Sequence, residues 1–333
     1  SPEILDGRVK THHPKIYAGI LNKRENKSHQ KDLIKYKFKN IDLIIVNFYP
    51  FEETVKNTSN QKKIIENIDI GGPTLVRAAA KNYNDVTVIT SRTQYAELKK
   101  ELIKFKGSTS KNFREKMSRE AFSETAYYDA LILNYLNKID NNYFPKKKIF
   151  YGNLIEKLRY GENSHQESAI YSTNNFLSIK QLHGKKISYN NFNDIFTALK
   201  ISKSLPNNTG TVIVKHANPC GVSILKNKLE CYNAALNCDP LSAFGGIISC
   251  NFKINKKLAI EFNKLFFEVI IGNNFDNDAL KILKKKKNLR LIDASNFSNT
   301  ENLNFISTNE NILIQSEDKI SFKRKNFKIV SKK

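Results

Sequence analysis

Long apolar runs are missing from this sequence of 333 residues. No stretch approaches the roughly 18 residues that a helix needs to cross a bilayer, which excludes helical membrane spans. Cysteine is scarce and poorly spaced for a metal: Cys220, Cys231, Cys238 and Cys250 stand 11, 7 and 12 positions apart, with no C-x-x-C pair. That spacing argues against structural zinc, and a disulfide framework is not expected in a chain of this size without a secretory leader. The thiols are expected to be reduced and mostly buried, and the compartment to be the cytoplasm. The first residues, Ser1-Pro-Glu-Ile-Leu-Asp-Gly-Arg8, hold neither an initiator Met nor a signal peptide and read as a chain entered in mid-domain. Arginine is also rare. Of 55 basic residues 9 are Arg and the remaining 46 are Lys, giving a net charge of +23. Nucleic-acid sites favour the arginine fork and interleaved aromatics. Lysine spread over every face, with abundant Asn and Ile, matches A/T-rich codons instead. The dense run Lys284–Lys287 reads as a solvated helix end.

The length favours two domains, set at 1–143 and 144–333. The boundary falls in 139–150, where polar residues, Pro145 and a lysine run break the pattern. The first domain alternates helices and strands. Ile41–Pro50 reads as a buried parallel strand, Gln61–Asn67 as a short helix, and Gly71-Gly-Pro-Thr74 as the start of another. Val86–Thr90 is a second strand, followed by helices near 92–105 and 110–138. The last of these is expected to bury Phe122, Ala126, Ala130 and Leu133. In the second domain, 158–165 and 184–191 read as polar loops, 193–204 as a helix, and Ile247–Asn251 and Phe266–Ile271 as strands. The pattern weakens from Asn288 onward, and no internal repeat is present.

One stretch draws the second domain together: Thr211-Val-Ile-Val-Lys-His-Ala-Asn-Pro-Cys-Gly221. Strand-forming residues run into Lys215 and His216, and Asn-Pro-Cys-Gly is expected to turn the chain. Neighbours on a strand face opposite ways, so the pair can serve one site only where the pleat ends. His216 is a candidate general base near neutral pH. Arg159 and Tyr160 before Gly161 could clamp a phosphate or a ring, Gly245 would let a ligand approach the backbone, and Glu268 interrupts an apolar run. In the first domain Arg8, Lys10 and Thr11 beside Gly7 suit a phosphate, though an ordinary basic loop would look the same. Asn47 and Tyr49 leave a strand on one face. Asp69 precedes a helix start and Lys81 ends the same helix, where a cap and a dipole partner are the plain alternatives. The histidines other than His216 show no metal-ligand pattern, and His29 is expected at the surface.

Taken together, DGRVKT (6–11), HP (13–14), AGIL (18–21), VNFYPF (46–51), ENIDIGGPTLVRAAAKN (66–82), LRYGENSHQ (158–166), SYNN (188–191), VKHANPCGV (214–222), DPLSAFGG (239–246) and FEVII (267–271) closely resemble one family. It is the bifunctional purine-biosynthesis family that joins inosine-monophosphate cyclohydrolase to aminoimidazole-carboxamide-ribonucleotide (AICAR) formyltransferase. The resemblance implies an α/β chain: a methylglyoxal-synthase-like parallel-sheet domain without its first strands, then the first lobe of a cytidine-deaminase-like transformylase domain. It implies 10-formyltetrahydrofolate as co-substrate and no metal for the chemistry. His216 matches the base and Lys215 the oxyanion stabiliser of formyl transfer, while Arg159, Tyr160, Gly245 and Glu268 match ribonucleotide contacts. Lys81 matches the proton donor and acceptor of ring closure, with Lys10, Tyr49 and Asp69 in support. Arg8, Val9, Thr11, Asn47 and Ile70 match nucleotide contacts. The resemblance further implies a homodimer acting on small molecules, not on nucleic acid or membrane. Family members begin further upstream and continue well past residue 333, so the sequence is expected to be a fragment of a longer protein. His12 departs from the family's usual apolar residue.

Two other readings stand beside this one. Pro219-Cys220 is part of a zinc-deaminase signature, but no second Cys follows two residues later and no His-x-Glu precedes it. A basic nucleic-acid binder is the non-enzyme alternative.

Overall fold

Short polar side chains start most of the helices. In the computed structural model, which describes residues 9, 11–174, 176–297, 303–318, 328 and 330, contacts divide the chain into two units, Ser1–Tyr151 and Gly152–Lys333. The first unit holds α1 (Pro14–Leu21), α2 (Lys27–Lys35), β1 (Leu43–Ile45), α3 (Phe51–Asn57), α4 (Gln61–Glu66) and α5 (Gly71–Lys81). These are followed by β2 (Thr87–Ile89), α6 (Tyr95–Lys104) and α7 (Lys111–Ile139). Asn26, Asn60 and Ser110 each accept a backbone N–H in the first turn of α2, α4 and α7. β1 and β2 pair in parallel, Leu43 opposite Thr87 and Ile45 opposite Ile89. Val76, Ala79 and Ala80 of α5, Val88 and Ile89 of β2, and Met117 and Ala121 of α7 form the core between them.

Two expectations change here. The strand expected over 41–50 is three residues long, and of those three only Ile44 is buried. The helix α7 buries Phe113, Met117, Ala121, Thr125, Tyr128 and Ala130, while Phe122 is 38% exposed and Ala126 also faces outward. The true stripe runs through Met117, Ala121 and Tyr128 at helical spacing. Phe122 instead lies beneath the Arg77 guanidinium, 5.5 Å from its ring centre.

The second unit opens with the antiparallel pair β3 (Asn153–Leu158) and β4 (Ser168–Ser172). Then come β5 (Lys180–His183), α8 (Tyr189–Ser204), β6 (Gly210–Lys215), β7 (Asn218–Ile224), α9 (Lys228–Leu236), α10 (Pro240–Ala243) and β8 (Ile247–Cys250). The remainder is α11 (Lys256–Lys264), β9 (Val269–Gly272), α12 (Asn277–Leu283), β10 (Arg290–Asp293) and the hairpin β11 (Asn304–Thr308) with β12 (Asn311–Gln315). Six strands form one sheet in the order β5-β10-β9-β8-β6-β7. β8, β9 and β10 run parallel, and β5 and β6 pair antiparallel to their flanks.

Side-chain alternation builds both layers of the core. Val212, Val214, Ile247, Val269, Ile271 and Ile292 pack with Phe192, Ile195 and Leu199 of α8. Their strand neighbours Ile213, Ile248, Ile270 and Leu291 pack on the other face with Tyr232, Phe262 and Ala279 from α9, α11 and α12. Strands buried on both faces read as continuous apolar runs, which is what these segments show.

Three local readings are corrected. The loop expected over 184–191 ends at Ser188, whose side chain accepts from Asn191 N and starts α8 at Tyr189. The chain turns at His216-Ala217 rather than at Asn-Pro-Cys-Gly, and residues 218–224 form β7 on the sheet edge. An edge strand tolerates Pro219 because the missing N–H breaks no inner ladder. Past Asn288 the sequence pattern weakens, yet β10 lies inside the sheet between β9 and β5. The lysine run follows the end of α12, and Lys284 is its C-cap.

Candidate active sites

In the second unit the carboxyl end of β6 meets the amino ends of β8, β9 and β10, because β6 runs antiparallel to β8. A cavity of about 490 Å³ opens at this edge, and Tyr160, Lys215, His216, Gly245 and Glu268 all line it. The sequence placed these five residues over more than a hundred positions, and the sheet brings them to one place. Arg159 is not among the lining residues; its guanidinium lies over the Tyr160 ring at 5.5 Å.

Lys215 is the last residue of β6 and His216 the first of the turn, so the two escape the strand's alternation. His216 and Ala217 have φ of +52° and +56°. A two-residue hairpin loop with both residues left-handed is the type I′ turn, for which Asn-Gly is the usual choice. Lys215 Nζ donates to the Phe244 carbonyl at 2.9 Å, which ties the strand end to the loop before β8. Gly245 in that loop has φ +73° and its N–H donates to the Phe266 carbonyl at 2.8 Å. A Cβ there would find open space, its nearest neighbours being Phe266 ring carbons at 3.8 Å, so backbone conformation is what calls for glycine.

Glu268 stands just before β9, at the mouth of the strand, and does not interrupt it. It accepts from Asn191 Nδ2 at 2.9 Å and pairs loosely with Arg290 at 3.8 Å. Arg290 Nε donates to the Lys186 carbonyl at 3.1 Å, and burial lowers the affinity of its guanidinium for a proton, against the pull of Glu268. Asn191, Asp194 and Arg290 line the cavity and were not found by reading the sequence. Asn191 Oδ1 is buried with no hydrogen-bond partner among the described residues. Its only signal is the SYNN motif, where Ser188 and Asn191 form the first turn of α8. Burial pushes the Asp194 carboxyl up, against the Ala217 N–H, the nearby His216 ring and the His216 N–H, which hold it down, while Glu268 adds to the rise.

In the first unit Asp69 joins two segments. Its Oδ1 accepts from Gly72 N at 2.8 Å, and its Oδ2 accepts from Tyr49 N at 3.3 Å. The helix begins at Gly71, two residues before Pro73, so Asp69 does bond the first turn of α5 as a cap would. A Cβ on Gly72 would lie 2.4 Å from Asp69 Oδ2. Behind them the buried Tyr128 hydroxyl accepts from Asp69 N at 2.8 Å and donates to the Asn67 carbonyl at 3.2 Å. Thr11 lies against Gly71, its Oγ1 2.8 Å from where a Cβ would stand. His12 approaches Thr74 Oγ1 at 3.4 Å and stacks on Tyr17. Asn47, Tyr49 and Ile70 are exposed, and Val9 is half-buried. Lys81 is exposed at the far end of α5 and does not join Asp69. Arg8 and Lys10 lie outside the described residues. His29, expected at the surface, accepts from Lys23 N at 3.0 Å through Nδ1.

Among the described residues no group of three or more His, Cys, Asp or Glu is placed to hold a metal ion, and no helix is long and apolar enough to cross a membrane. Cys220 donates to the Ile213 carbonyl, and burial raises its thiol.

The bifunctional purine biosynthesis protein PurH of Listeria monocytogenes serovar 1/2a is 41% identical over 338 residues, covering 100% of this chain and 66% of its own. PurH of Lactobacillus acidophilus is 42% identical over 99% of this chain and 66% of its own. PurH of Acetivibrio thermocellus is 44% identical over 89% of this chain and 59% of its own. The chain thus spans about two thirds of the length of the relatives it matches. The crystal structure of ForH, 30% identical, covers 40% of this chain at a TM-score of 0.34. The model of an MGS-like domain matches residues 1–74, and that of the AICARFT/IMPCHase bienzyme matches residues 79–333. With the greater part of its length matched in this way, the chain belongs to the AICARFT/IMPCHase bienzyme family.

Proposed function

We propose that this chain carries the last two steps of purine-nucleotide synthesis, formyl transfer to AICAR and ring closure to inosine monophosphate. The observation that supports it best is the cavity where Lys215 and His216 meet Tyr160, Gly245 and Glu268.

In formyl transfer, the 5-amino group of AICAR attacks the formyl carbon of 10-formyltetrahydrofolate, and tetrahydrofolate leaves. The amine is a poor nucleophile because its lone pair is delocalised toward the carboxamide. His216 takes its proton, and Lys215 stabilises the oxyanion that forms on the formyl oxygen. Tyr160, Gly245 and Glu268 hold the ribonucleotide, with Arg159 stacked behind Tyr160.

In ring closure, the carboxamide nitrogen attacks the new formyl carbon and water leaves. Both reacting groups belong to one molecule, so positioning supplies much of the rate. Lys81 gives and takes the protons with Lys10, Tyr49 and Asp69 in support, and Arg8, Val9, Thr11, Asn47 and Ile70 hold the nucleotide. The active protein is a cytoplasmic homodimer acting on small molecules.

The test supplies AICAR and 10-formyltetrahydrofolate to protein expressed from its gene with all flanking coding sequence, and follows inosine monophosphate. His216→Ala blocks formyl transfer, and Lys81→Ala lets formyl-AICAR accumulate. No product from the wild type, or variants that match it, would sink the reading.

A further inference from the structure

The turn that presents His216 is made from residues that do not favour it. Left-handed backbone costs a residue with a Cβ roughly 1–2 kcal/mol, and here two such residues follow one another at φ +52° and +56°. Strain of this kind persists where the surroundings over-determine it. One flank is supplied by Asn218, whose Nδ2 donates to the His216 carbonyl at 2.9 Å. The other comes from a different element, 23 positions earlier in the chain: Asp194 Oδ1, on α8, accepts from Ala217 N at 2.6 Å.

We propose that Asp194 is the positioning residue of the formyl-transfer base, holding the His216-Ala217 turn in its left-handed form so that the imidazole faces the cavity. This rests on the function proposed above. Asp194 is half-buried and lines the cavity itself. Its carboxylate makes a short charge-assisted bond to the Ala217 N–H of the turn, and the His216 N–H also favours its ionised form. Burial works against the ionised carboxyl at this place, and the N–H groups of the turn work for it. Ordinary turn chemistry would have supplied Asn-Gly at 216–217 and needed no such partner. A base at the first position excludes that solution.

The test uses protein expressed from its gene with all flanking coding sequence, in four forms: wild type, Asp194→Ala, Asp194→Asn, and Asp194→Ala combined with Ala217→Gly. Formyl transfer is measured as kcat and KM separately, melting temperature is recorded, and exchange of the Ala217 amide is followed by NMR. Asp194→Ala is expected to lower kcat at least tenfold, with KM for AICAR changed less than threefold and no fall in melting temperature. Asp194→Asn, which keeps a neutral acceptor, falls between. Glycine at 217 adopts positive φ without cost, so the double variant regains most of the lost kcat. The Ala217 amide exchanges at least tenfold faster in Asp194→Ala. A kcat within twofold of wild type, a loss that Ala217→Gly does not relieve, or a loss that tracks a lower melting temperature would overturn the proposal. If the wild type makes no formylated product, the functional reading fails on its own. Unchanged exchange at Ala217 would then still refute the role given to Asp194.

Discussion

Asp69 and Lys81 stand at opposite ends of one helix. Asp69 bonds Gly72 N in the first turn of α5, and Lys81 is the last of its eleven residues. At 1.5 Å per residue the nine steps between Gly72 and Lys81 are about 14 Å. A lysine side chain reaches roughly 6 Å and leans toward the helix start, which leaves a gap of more than two hydrogen-bond lengths. A carboxamide held at Asp69 is expected to meet the Lys81 of a second copy. Under the proposed homodimer, two copies supply one each. Asp69→Asn and Lys81→Ala proteins, each weak in ring closure alone, should therefore recover up to about a quarter of wild-type activity when mixed and allowed to exchange subunits. No recovery after verified exchange would refute sharing.

The Tyr128 hydroxyl bridges Asn67 and Asp69 while its ring packs against Phe48 and Phe51. Tyr128→Phe keeps the ring and leaves the Asp69 N–H without its partner. Such a loss costs about 1–3 kcal/mol in denaturant unfolding. Ring closure should slow several-fold, and formyl transfer should stay at the wild-type rate.

Gly184 has φ +96°, and a Cβ there would stand 2.1 Å from the Leu289 carbonyl oxygen. Gly184→Ala combines backbone strain with a backbone collision, and a loss of roughly 2–4 kcal/mol is expected. Lys185 follows directly and lines the cavity, so KM for AICAR should rise as well. A denaturant midpoint equal to wild type would show that the loop moves aside.

Burial pushes the Tyr232 phenol and the Cys250 thiol each up to about 12. Both acids are raised in the fold, so their contribution is complete below the unfolded values and is lost as pH climbs toward 12. For Tyr232 the two-unit rise corresponds to roughly 2–3 kcal/mol. Urea midpoints of Tyr232→Phe and wild type should diverge from pH 10 upward, the variant falling less. Parallel decline of the two proteins would exclude the phenol as the cause.

The pair Lys215-His216 was legible because a strand of β-branched residues leads straight into it, and strand ends are where alternation breaks. The buried strands β6, β8 and β9 were legible for the same reason, being unbroken apolar runs. Asp194 was not, because Asn190-Asn-Phe-Asn-Asp194 carries no period, and its role exists only through a contact with Ala217 in another element. Arg290 and β10 were hidden by the lysine run before them, since four residues at 290–293 give no measurable alternation. The turn position was misplaced because Asn-Pro-Cys-Gly has the stronger turn composition. What overrides it is pairing: Pro219 sits opposite Val214 at an edge that does not need its N–H.

β5 pairs with β10 and with no other strand of the sheet, although Lys180 and Asp293 are separated by more than a hundred residues. During synthesis β5 leaves the ribosome long before its partner exists. At roughly 5–20 residues per second the wait lasts several seconds to about twenty. The loop that follows β5 carries Gly184 and Lys185, so this wall of the cavity closes only when translation has passed residue 293. Until then β5 stays without its partner strand, and a nascent-chain chaperone would have its longest task on this protein there.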